Sequence, residues 1–242
     1  MIRHRSCRRL ALRLVCAVGA SATMGLTTAH GQSDIVDFNF IGNNGPNLSV
    51  PATTVATGLA TPVNITSNNV TIQGRNNAFN ASNWAQAPTG IDLTKYFTFT
   101  VTGTPGNFID LHSGSLILNV EIDNQGPSQL VVRTSLDNFA TNVGAPFTPT
   151  VNVATLDTVP FATYLTNIGA TSPVSAIELR MYGYSATQTG STMWFQSTSP
   201  SPLNAVRLTG TVTPTPEPTL VLSAAAAATG LAWLYRGIRR QK

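Results

Sequence analysis

The ten residues from Gly114 to Asp123, GSLILNVEID, put Leu116, Leu118, Val120 and Ile122 at every second position. Successive side chains of a β-strand point to opposite faces, so this alternation predicts a strand with one apolar and one polar face. Half-buried strands of this kind are typical of antiparallel sheets that cover one side of a core. The stretch therefore predicts an all-β fold.

The same alternation recurs through the interior of the chain. The runs are DIVDFNF (34–40), YFTFTV (96–101), QLVVRTS (129–135), AIELRMYGY (176–184) and NAVRLTGTV (204–212). Clusters of Asn, Gly and Pro separate them, as turns require, and a small extra hairpin is expected near 70–73. Eight or more short strands in one domain predict an antiparallel, jelly-roll-like β-sandwich over residues 32–212.

The charge is distributed unevenly along the 242 residues. The formal net charge is +4, but five arginines lie in residues 1–13, and Arg236, Arg239, Arg240 and Lys242 close the chain. Residues 32–215 hold only five basic and nine acidic residues. Nucleic-acid binding needs clustered cations that displace counterions from phosphate, so the predicted domain does not belong to that class.

Residues 1–31 are predicted to be a signal peptide. A basic segment precedes an apolar stretch (14–26) that is too short to span a bilayer, and small residues precede the predicted cleavage between Gly31 and Gln32. The alternative is an uncleaved anchor, and Arg8-Arg9 leaves the twin-arginine route open beside the general one. The export machinery is thus a predicted partner. Cleavage would also remove both cysteines of the chain.

Three segments of different character follow the domain. A proline-rich spacer (213–218) precedes an uncharged apolar run (219–235) and a basic tail (236–242). The run has the length of a short transmembrane helix, and the cations after it are expected to stay in the cytoplasm. The sequence therefore predicts a precursor that is anchored in the inner membrane with its domain in the periplasm. An ordinary tail anchor is the alternative.

Pro216, Glu217 and Pro218, followed by the apolar run and the terminal arginines, resemble the PEP-CTERM sorting signal of Gram-negative bacteria that make exopolysaccharide. The resemblance covers residues 216–242. It implies that an exosortase, a membrane protease similar to transpeptidases, recognises the Pro-Glu-Pro motif. It also implies that processing then releases the protein or attaches it to the cell surface.

The predicted domain also looks like a group of secreted PEP-CTERM proteins that share one β-sandwich. This resemblance rests on YFTFTVT (96–102), ELRMYGYSA (178–186), VRLTGTV (206–212) and the R-x-S-x-D-x-F order within QLVVRTSLDNFAT (129–141). It implies no catalytic residues. Such proteins often carry an Asp-Asn pair before the last strand, where this chain has Leu203-Asn204.

Candidate catalytic residues are few. The predicted mature chain has one histidine, His112, with Asp110 two positions before it and Ser113 and Ser115 after it. Strand alternation would let Asp110 and His112 hydrogen-bond, but it does not bring a hydroxyl in line for nucleophilic attack. We therefore expect a non-enzymatic protein with no catalytic residues.

Metal and cofactor sites also have little support. With one histidine and no cysteine after cleavage, a His/Cys metal site is excluded, and no cofactor is expected. A calcium site stays open as an alternative. Its ligands would be Glu121 and Asp123 with the amide of Asn124, or Asp34 with Asp37. Glu121 and Asp123 would repel each other unless a cation, or Arg133 on the expected neighbouring strand, lay between them. Solvated acids at turns are the simpler interpretation, so no metal is predicted.

Carbohydrate binding is the main alternative activity. Sugar sites use exposed aromatic faces beside amides and acids, and Trp84 in NASNWAQ lies in a polar, loop-like context. Trp194 is the second candidate, with Phe195, Tyr182 and Tyr184 close to it in sequence. Burial of these rings in the core is the competing interpretation.

Together these features predict an exported cell-surface or extracellular-matrix protein. Its expected partners are the exosortase and the exopolysaccharide of a biofilm matrix. The alternative is a lectin-like module with a defined sugar site at Trp84 or Trp194.

Overall fold

The computed structural model of the protein describes residues 33–197 and 204–215. The predicted signal peptide, Pro-Glu-Pro motif, apolar run and basic tail lie outside these ranges. Within the described ranges, no helix has the length and apolarity needed to cross a membrane.

The described chain forms fourteen strands and one short helix, α1 (Ala162–Asn167). The strands are β1 (Ser33–Phe38), β2 (Ser49–Pro51), β3 (Thr54–Val55), β4 (Asn64–Asn68), β5 (Thr71–Gln73), β6 (Ala78–Ser82), β7 (Tyr96–Thr102), β8 (Asn107–Asp110), β9 (Ser115–Ile122), β10 (Gln129–Thr134), β11 (Thr155–Pro160), β12 (Ala176–Tyr184), β13 (Met193–Gln196) and β14 (Val206–Pro214). A 3-10 turn, Ser135–Asp137, follows β10.

The strands form two antiparallel sheets. The larger sheet has the order β3-β1-β14-β9-β13-β6-β5, with β11 beside β9 and β8 beside β14. The smaller sheet has the order β10-β12-β7-β4-β2. From β9 to β13, consecutive strands alternate between the two sheets, so each connection leads from one sheet to the other.

Aromatic side chains from both sheets meet in one core. Phe38 of the larger sheet meets Phe99 of the smaller sheet with ring centroids 5.2 Å apart. Phe97 of the smaller sheet lies 4.8 Å from Phe79 and 5.3 Å from Phe195, both of the larger sheet. The predicted antiparallel β-sandwich is therefore confirmed, while its jelly-roll-like winding stays a prediction.

The predicted alternation matches the observed burial. Leu116, Leu118 and Val120 are fully buried, as are Phe97 and Val101 on β7. The hairpin expected near 70–73 is formed by β5 with β6. Several strands, namely β2, β3, β4, β8, β11 and β13, and the helix α1 were not predicted, because these segments lack a sustained apolar period between turn motifs.

Two expectations about chain neighbours are wrong. The predicted proline-rich spacer begins at residue 213, yet β14 continues to Pro214, which pairs with Asn107 of β8. A proline is tolerated there because it ends the strand, where its missing N–H leaves no ladder position open. Arg133 was expected beside Glu121, but β9 and β10 belong to different sheets.

Candidate functional site

His112 is bonded at both ring nitrogens. β8 ends at Asp110, and the following turn brings His112 Nδ1 to 2.7 Å from the Asp110 carboxylate, while Nε2 lies 3.0 Å from the carbonyl of Ala170. The hydrogen bond to Asp110 raises the pKa of His112. Because both nitrogens are used, this histidine is not placed to take a proton from a neighbouring hydroxyl.

The loop acids considered for calcium point to separate partners. Asp123 accepts hydrogen bonds from Thr192 N (2.6 Å) and Gln125 N (3.0 Å). Glu121 accepts from the indole of Trp194 (3.1 Å), and Asn124 accepts from Asn152 (3.1 Å). Across residues 33–197 and 204–215, no three acids or histidines converge on a point that could hold a metal ion.

Asp34 and Asp37 on β1 differ in their surroundings. Asp34 lies at the surface, 3.5 Å from the Arg207 guanidinium. Asp37 is only 4% exposed, and one of its carboxylate oxygens accepts a hydrogen bond from Asn204. Burial, and then the charge of Asp34, raise the pKa of Asp37 to about 6 against the opposing effects of Asn204 and Arg207. Asp37 and Asn204 thus form a partly buried polar contact between β1 and the segment that precedes β14.

Trp84 lies in the core rather than at the surface. Its exposed fraction is 0%, its ring meets Phe97 edge-on at 4.9 Å, and its Nε1 donates to the carbonyl of Ala81 at 2.8 Å. Asn83 before it takes a left-handed conformation, with φ of 65°, which turns the chain and directs the next side chain inward. The expectation of an exposed Trp84 ring is wrong.

Trp194 is on the outer face of the larger sheet, yet it is also covered. Its exposed fraction is 1%, and the Arg75 guanidinium lies 3.5 Å above the ring centroid. Glu121 accepts from its Nε1 and also lies 3.5 Å from Arg75. The ring is therefore held in a stack of charged groups, and it offers no open face to a sugar.

An open cleft lies directly over Trp84. It has a volume of about 520 Å³, and we call it the Asn83 cleft. Its lining is formed by Asn83, Trp84, Ala85, Gln86, Thr89, Gly90, Ile91, Asp92, Lys95 and Thr189.

The polar groups of the Asn83 cleft are held by one another. Lys95 Nζ donates to Asn83 Oδ1 at 3.2 Å, and Gln86 donates to Thr189 Oγ1 at 2.6 Å. The side chain and the backbone of Thr94 donate to Asp92 and lower its pKa, so this carboxylate is ionised at neutral pH. Amides, hydroxyls, one carboxylate and one ammonium in an open cleft can bind a polyhydroxylated ligand.

The R-x-S-x-D-x-F segment builds a tight corner at the edge of the smaller sheet. Arg133 donates from Nη1 to the carbonyl of Phe139 (2.9 Å) and from Nε to Asn142 (2.8 Å). Ser135 accepts from the backbone N–H of Glu178 (3.0 Å), and Asp137 accepts from Thr141 N (2.9 Å). The segment thus has a structural function, which is to place Arg133 and Phe139 on the outer face of the sheet.

Arg180 lies between two aromatic rings on that same face. Its guanidinium carbon is 3.6 Å from the Phe139 ring centroid and 4.5 Å from that of Tyr96. Tyr96 in turn meets Tyr182 at 5.4 Å. Tyr182 is fully buried, and its hydroxyl makes no hydrogen bond of normal geometry within the described chain, although Arg180 is close enough to oppose the pKa increase that burial causes.

Neither the Asn83 cleft nor the pairing of Arg133 with Arg180 was predicted from the sequence. Gln86, Asp92 and Lys95 occur in a stretch without motif or period, so only the folded loop brings them together. Arg133 and Arg180 occupy polar positions of strands that were predicted, but strand pairing was needed to show that they are neighbours. The one available signal was the short R-x-S-x-D-x-F order.

Comparisons with known proteins find little. No protein-family model and no curated protein matches this chain. Among solved structures, the chain is similar to one described as "Solution structure, dynamics and binding studies of CtCBM11". The two are 12% identical, 77% of this chain and 99% of that chain are covered, and the TM-score is 0.33. A likeness at this level gives no basis for assigning a function.

Proposed function

We propose that this is an exported, non-enzymatic protein of the cell surface or extracellular matrix that associates with exopolysaccharide. The sequence of residues 216–242 carries the first half of the proposal, because a Pro-Glu-Pro motif, a short apolar run and terminal arginines occur there in that order. In this proposal an exosortase processes the inner-membrane precursor next to Pro216, Glu217 and Pro218.

The end of the described domain is compatible with processing at that point. Thr215 donates hydrogen bonds from its backbone N–H (2.6 Å) and its hydroxyl (2.8 Å) to the carbonyl of Gly106. Thr215, directly before Pro216 in the sequence, is thus bonded to the domain. Cleavage beyond Thr215 would leave every described strand intact.

Substitutions in the motif test this part. We expect Glu217→Ala and Pro218→Ala to leave the precursor in the membrane fraction, with Pro214→Ala as the matched proline control that is processed normally. Mass spectrometry of the secreted wild-type protein should give a chain without Arg236, Arg239 and Arg240. An intact basic C-terminus on the secreted form would overturn the proposal.

The polysaccharide half of the proposal is supported by the character of the domain surface. Charged residues make up only 10% of the chain, and four of the ten residues that line the open Asn83 cleft carry an amide or a hydroxyl. Such groups exchange hydrogen bonds with water and with sugar hydroxyls equally well, which suits a protein that works within a hydrated matrix.

The second candidate is a lectin-like module, and the Asn83 cleft is the observation that favours it. A lectin would bind a small oligosaccharide there, whereas a matrix protein would bind only the polymer. A glycan array with the full chain in mild detergent separates the two, and Lys95→Met is the cleft variant. Loss of oligosaccharide binding in this variant would support the lectin, while an array without any bound oligosaccharide would exclude the lectin.

A further inference from the structure

We propose that the outer face of the smaller sheet around Arg133, Arg180, Tyr96 and Phe139 binds an acidic polysaccharide whose carboxylates pair with the two guanidinium groups. We call these four residues the arginine face. The inference rests on the proposed association with polysaccharide, and it names the class of polymer and the residues that contact it.

Two like charges are paired unfavourably on this face. Arg133 of β10 and Arg180 of β12 are direct cross-strand partners, and like charges in such positions repel each other. Arg180 is compensated by Glu178, whose Oε1 lies 2.6 Å from its Nε. Arg133 bonds only neutral acceptors, namely Asn142 and the carbonyl of Phe139.

No acid of the described chain neutralises Arg133. Within residues 33–197 and 204–215 no carboxylate forms an ion pair with it. Asp137 lies in the same corner, but its carboxylate accepts from Thr141 and Ala140 instead. The pair therefore leaves one positive charge uncompensated, in a domain that is acidic as a whole. Positions that violate a local pairing rule are where binding sites are expected.

The guanidinium groups of Arg133 and Arg180 are already held in place by their neighbours. The rings of Tyr96 and Phe139 contact the Arg180 guanidinium, and two hydrogen bonds fix that of Arg133. Long side chains normally lose rotamer entropy when they bind a ligand, and side chains fixed in advance lose less. The Arg180 side chain remains 23% exposed. A planar guanidinium edge binds a carboxylate through two parallel hydrogen bonds.

The residues around the two guanidinium groups indicate the kind of anion. Tyr96, Phe139 and Asn142 surround the guanidinium groups with half-exposed rings and an amide. Rings stack on the apolar face of a sugar, and amides bond its hydroxyls, so these neighbours suit a uronic acid better than a bare inorganic anion. A polymer that repeats the carboxylate can also engage both arginines at once, which raises the overall affinity.

The surface continues into a second cleft. Asn142, which bonds Arg133, also lines a cleft of about 480 Å³ together with Thr141, Thr163, Tyr164 and Asn167. A chain of sugars that leaves the arginine face over Asn142 would enter this cleft, where hydroxyl and amide groups continue.

The test uses the full chain in mild detergent and three immobilised glycans, which are alginate, carboxyl-reduced alginate and dextran. Alginate is expected to bind, and to bind several-fold more weakly when the NaCl concentration rises from about 50 to about 300 mM, because salt screens the exposed guanidinium groups. Arg133→Gln is expected to weaken alginate binding about tenfold through loss of a charge-assisted pair. Arg75→Gln, which removes the same charge from the outer face of the larger sheet, is the matched control and should stay within about twofold.

Each outcome decides the inference. Equal losses in Arg133→Gln and Arg75→Gln, or equal binding to carboxyl-reduced alginate, would overturn it. Binding of dextran alone would overturn the inference while leaving the proposed function intact. Binding of none of the three glycans would overturn the inference and also the polysaccharide half of the proposed function. Single-stranded DNA is added as a competitor, and displacement of alginate by DNA at equal charge concentration would indicate a general anion site instead.

A folding defect is checked in the same series. Arg133→Gln removes one member of a repelling pair, but it also removes the hydrogen bonds to Asn142 and to the carbonyl of Phe139, so its urea midpoint is measured beside its binding. If the variant unfolds, Arg133→Lys replaces it, since lysine keeps the charge and loses the two-pronged geometry. We expect Arg133→Lys to lose several-fold in affinity for alginate, and wild-type affinity in this variant would overturn the role assigned to the guanidinium.

Discussion

Asp37 of the first strand accepts a hydrogen bond from the side-chain amide of Asn204, 167 positions further along, at 2.5 Å. This contact joins the start of the domain to the segment that leads into its last strand. Asp37 is buried, and its other carboxylate oxygen has no hydrogen-bond partner within the described chain. A buried carboxylate with half of its hydrogen bonds unmade is less stable in its charged form than it would be in water.

The first prediction is that Asp37→Asn stabilises the protein at neutral pH. The folded-state pKa of Asp37 is about 6 and lies above its ordinary value, so the native state binds more protons between about pH 4 and 6. Stability is therefore highest below this window and decreases as pH rises through it. Removing the charge should add about 3 kcal/mol to the free energy of unfolding at pH 7 and abolish this slope.

Urea unfolding from pH 4 to pH 8 measures the effect. Asp92→Asn is a control of opposite sign, because hydrogen bonds from Thr94 lower the pKa of Asp92 and its charged form stabilises the fold. Parallel pH profiles for the wild type and Asp37→Asn would contradict the prediction.

The second prediction concerns the pair of His112 and Asp110. The hydrogen bond that His112 donates to Asp110 raises the pKa of His112, so this contribution is present below about pH 6.5 and is lost as pH rises through the folded-state pKa. Partial burial acts to raise the pKa of Asp110, but the hydrogen bonds from His112 outweigh it and lower the pKa, so that contribution is lost in acid. The pair thus stabilises the fold between about pH 4 and 6.5.

His112→Gln should remove that stabilisation. The side chains of His112 and Asp110 are 40% and 34% exposed, and solvent screening keeps the loss in the free energy of unfolding below about 1 kcal/mol. Thermal unfolding at pH 5.5 should show the difference, and the two proteins should have the same midpoint at pH 8.5. An equal difference at both pH values would mean that His112 acts through packing alone.

The third prediction concerns Gly103, which follows β7. A methyl group at this position would lie 2.2 Å from the carbonyl oxygen of Asn107, an atom of the backbone that cannot move aside without distorting the turn. Gly103→Ala should therefore cost about 2 to 3 kcal/mol through overpacking. Gly90→Ala is the matched control, since nothing lies within 4 Å of its added methyl, and it should change stability by less than about 0.5 kcal/mol. Equal urea midpoints for the two variants would contradict this account.

The strand pattern was predictable where local chemistry alone decides it. On β9 and β7, every second side chain is apolar, and the same side chains are buried, because an antiparallel sheet with one covered face needs only that alternation. The partners of each strand were not predictable in this way. β9 and β10 are separated by a short turn, yet the chain crosses to the other sheet between them, and no pairwise pattern in the sequence encodes the crossing.

The candidate sites were predicted less well than the strands. Trp84 lies in a polar stretch and is nevertheless buried, because the left-handed residue Asn83 redirects the chain. Trp194 is covered by Arg75, which is 119 positions away in sequence, so burial on an outer face was not visible from its neighbours. The neighbouring positions of Arg133 and Arg180 depend on strand register, which the sequence does not state.

The last prediction separates the structural role of Trp84 from any binding role. Its buried ring packs edge-on against Phe97, so Trp84→Ala should cost about 3 to 5 kcal/mol and lower glycan binding only through unfolding. Trp84→Phe keeps most of the ring and loses the hydrogen bond to Ala81, which should cost about 1 to 2 kcal/mol. We therefore expect the folded fraction of Trp84→Phe to bind glycans with wild-type affinity, as measured by titration at a temperature well below its unfolding midpoint. A fully folded Trp84→Phe protein that binds no glycan would instead show that the Asn83 cleft opens far enough for sugar to reach the indole.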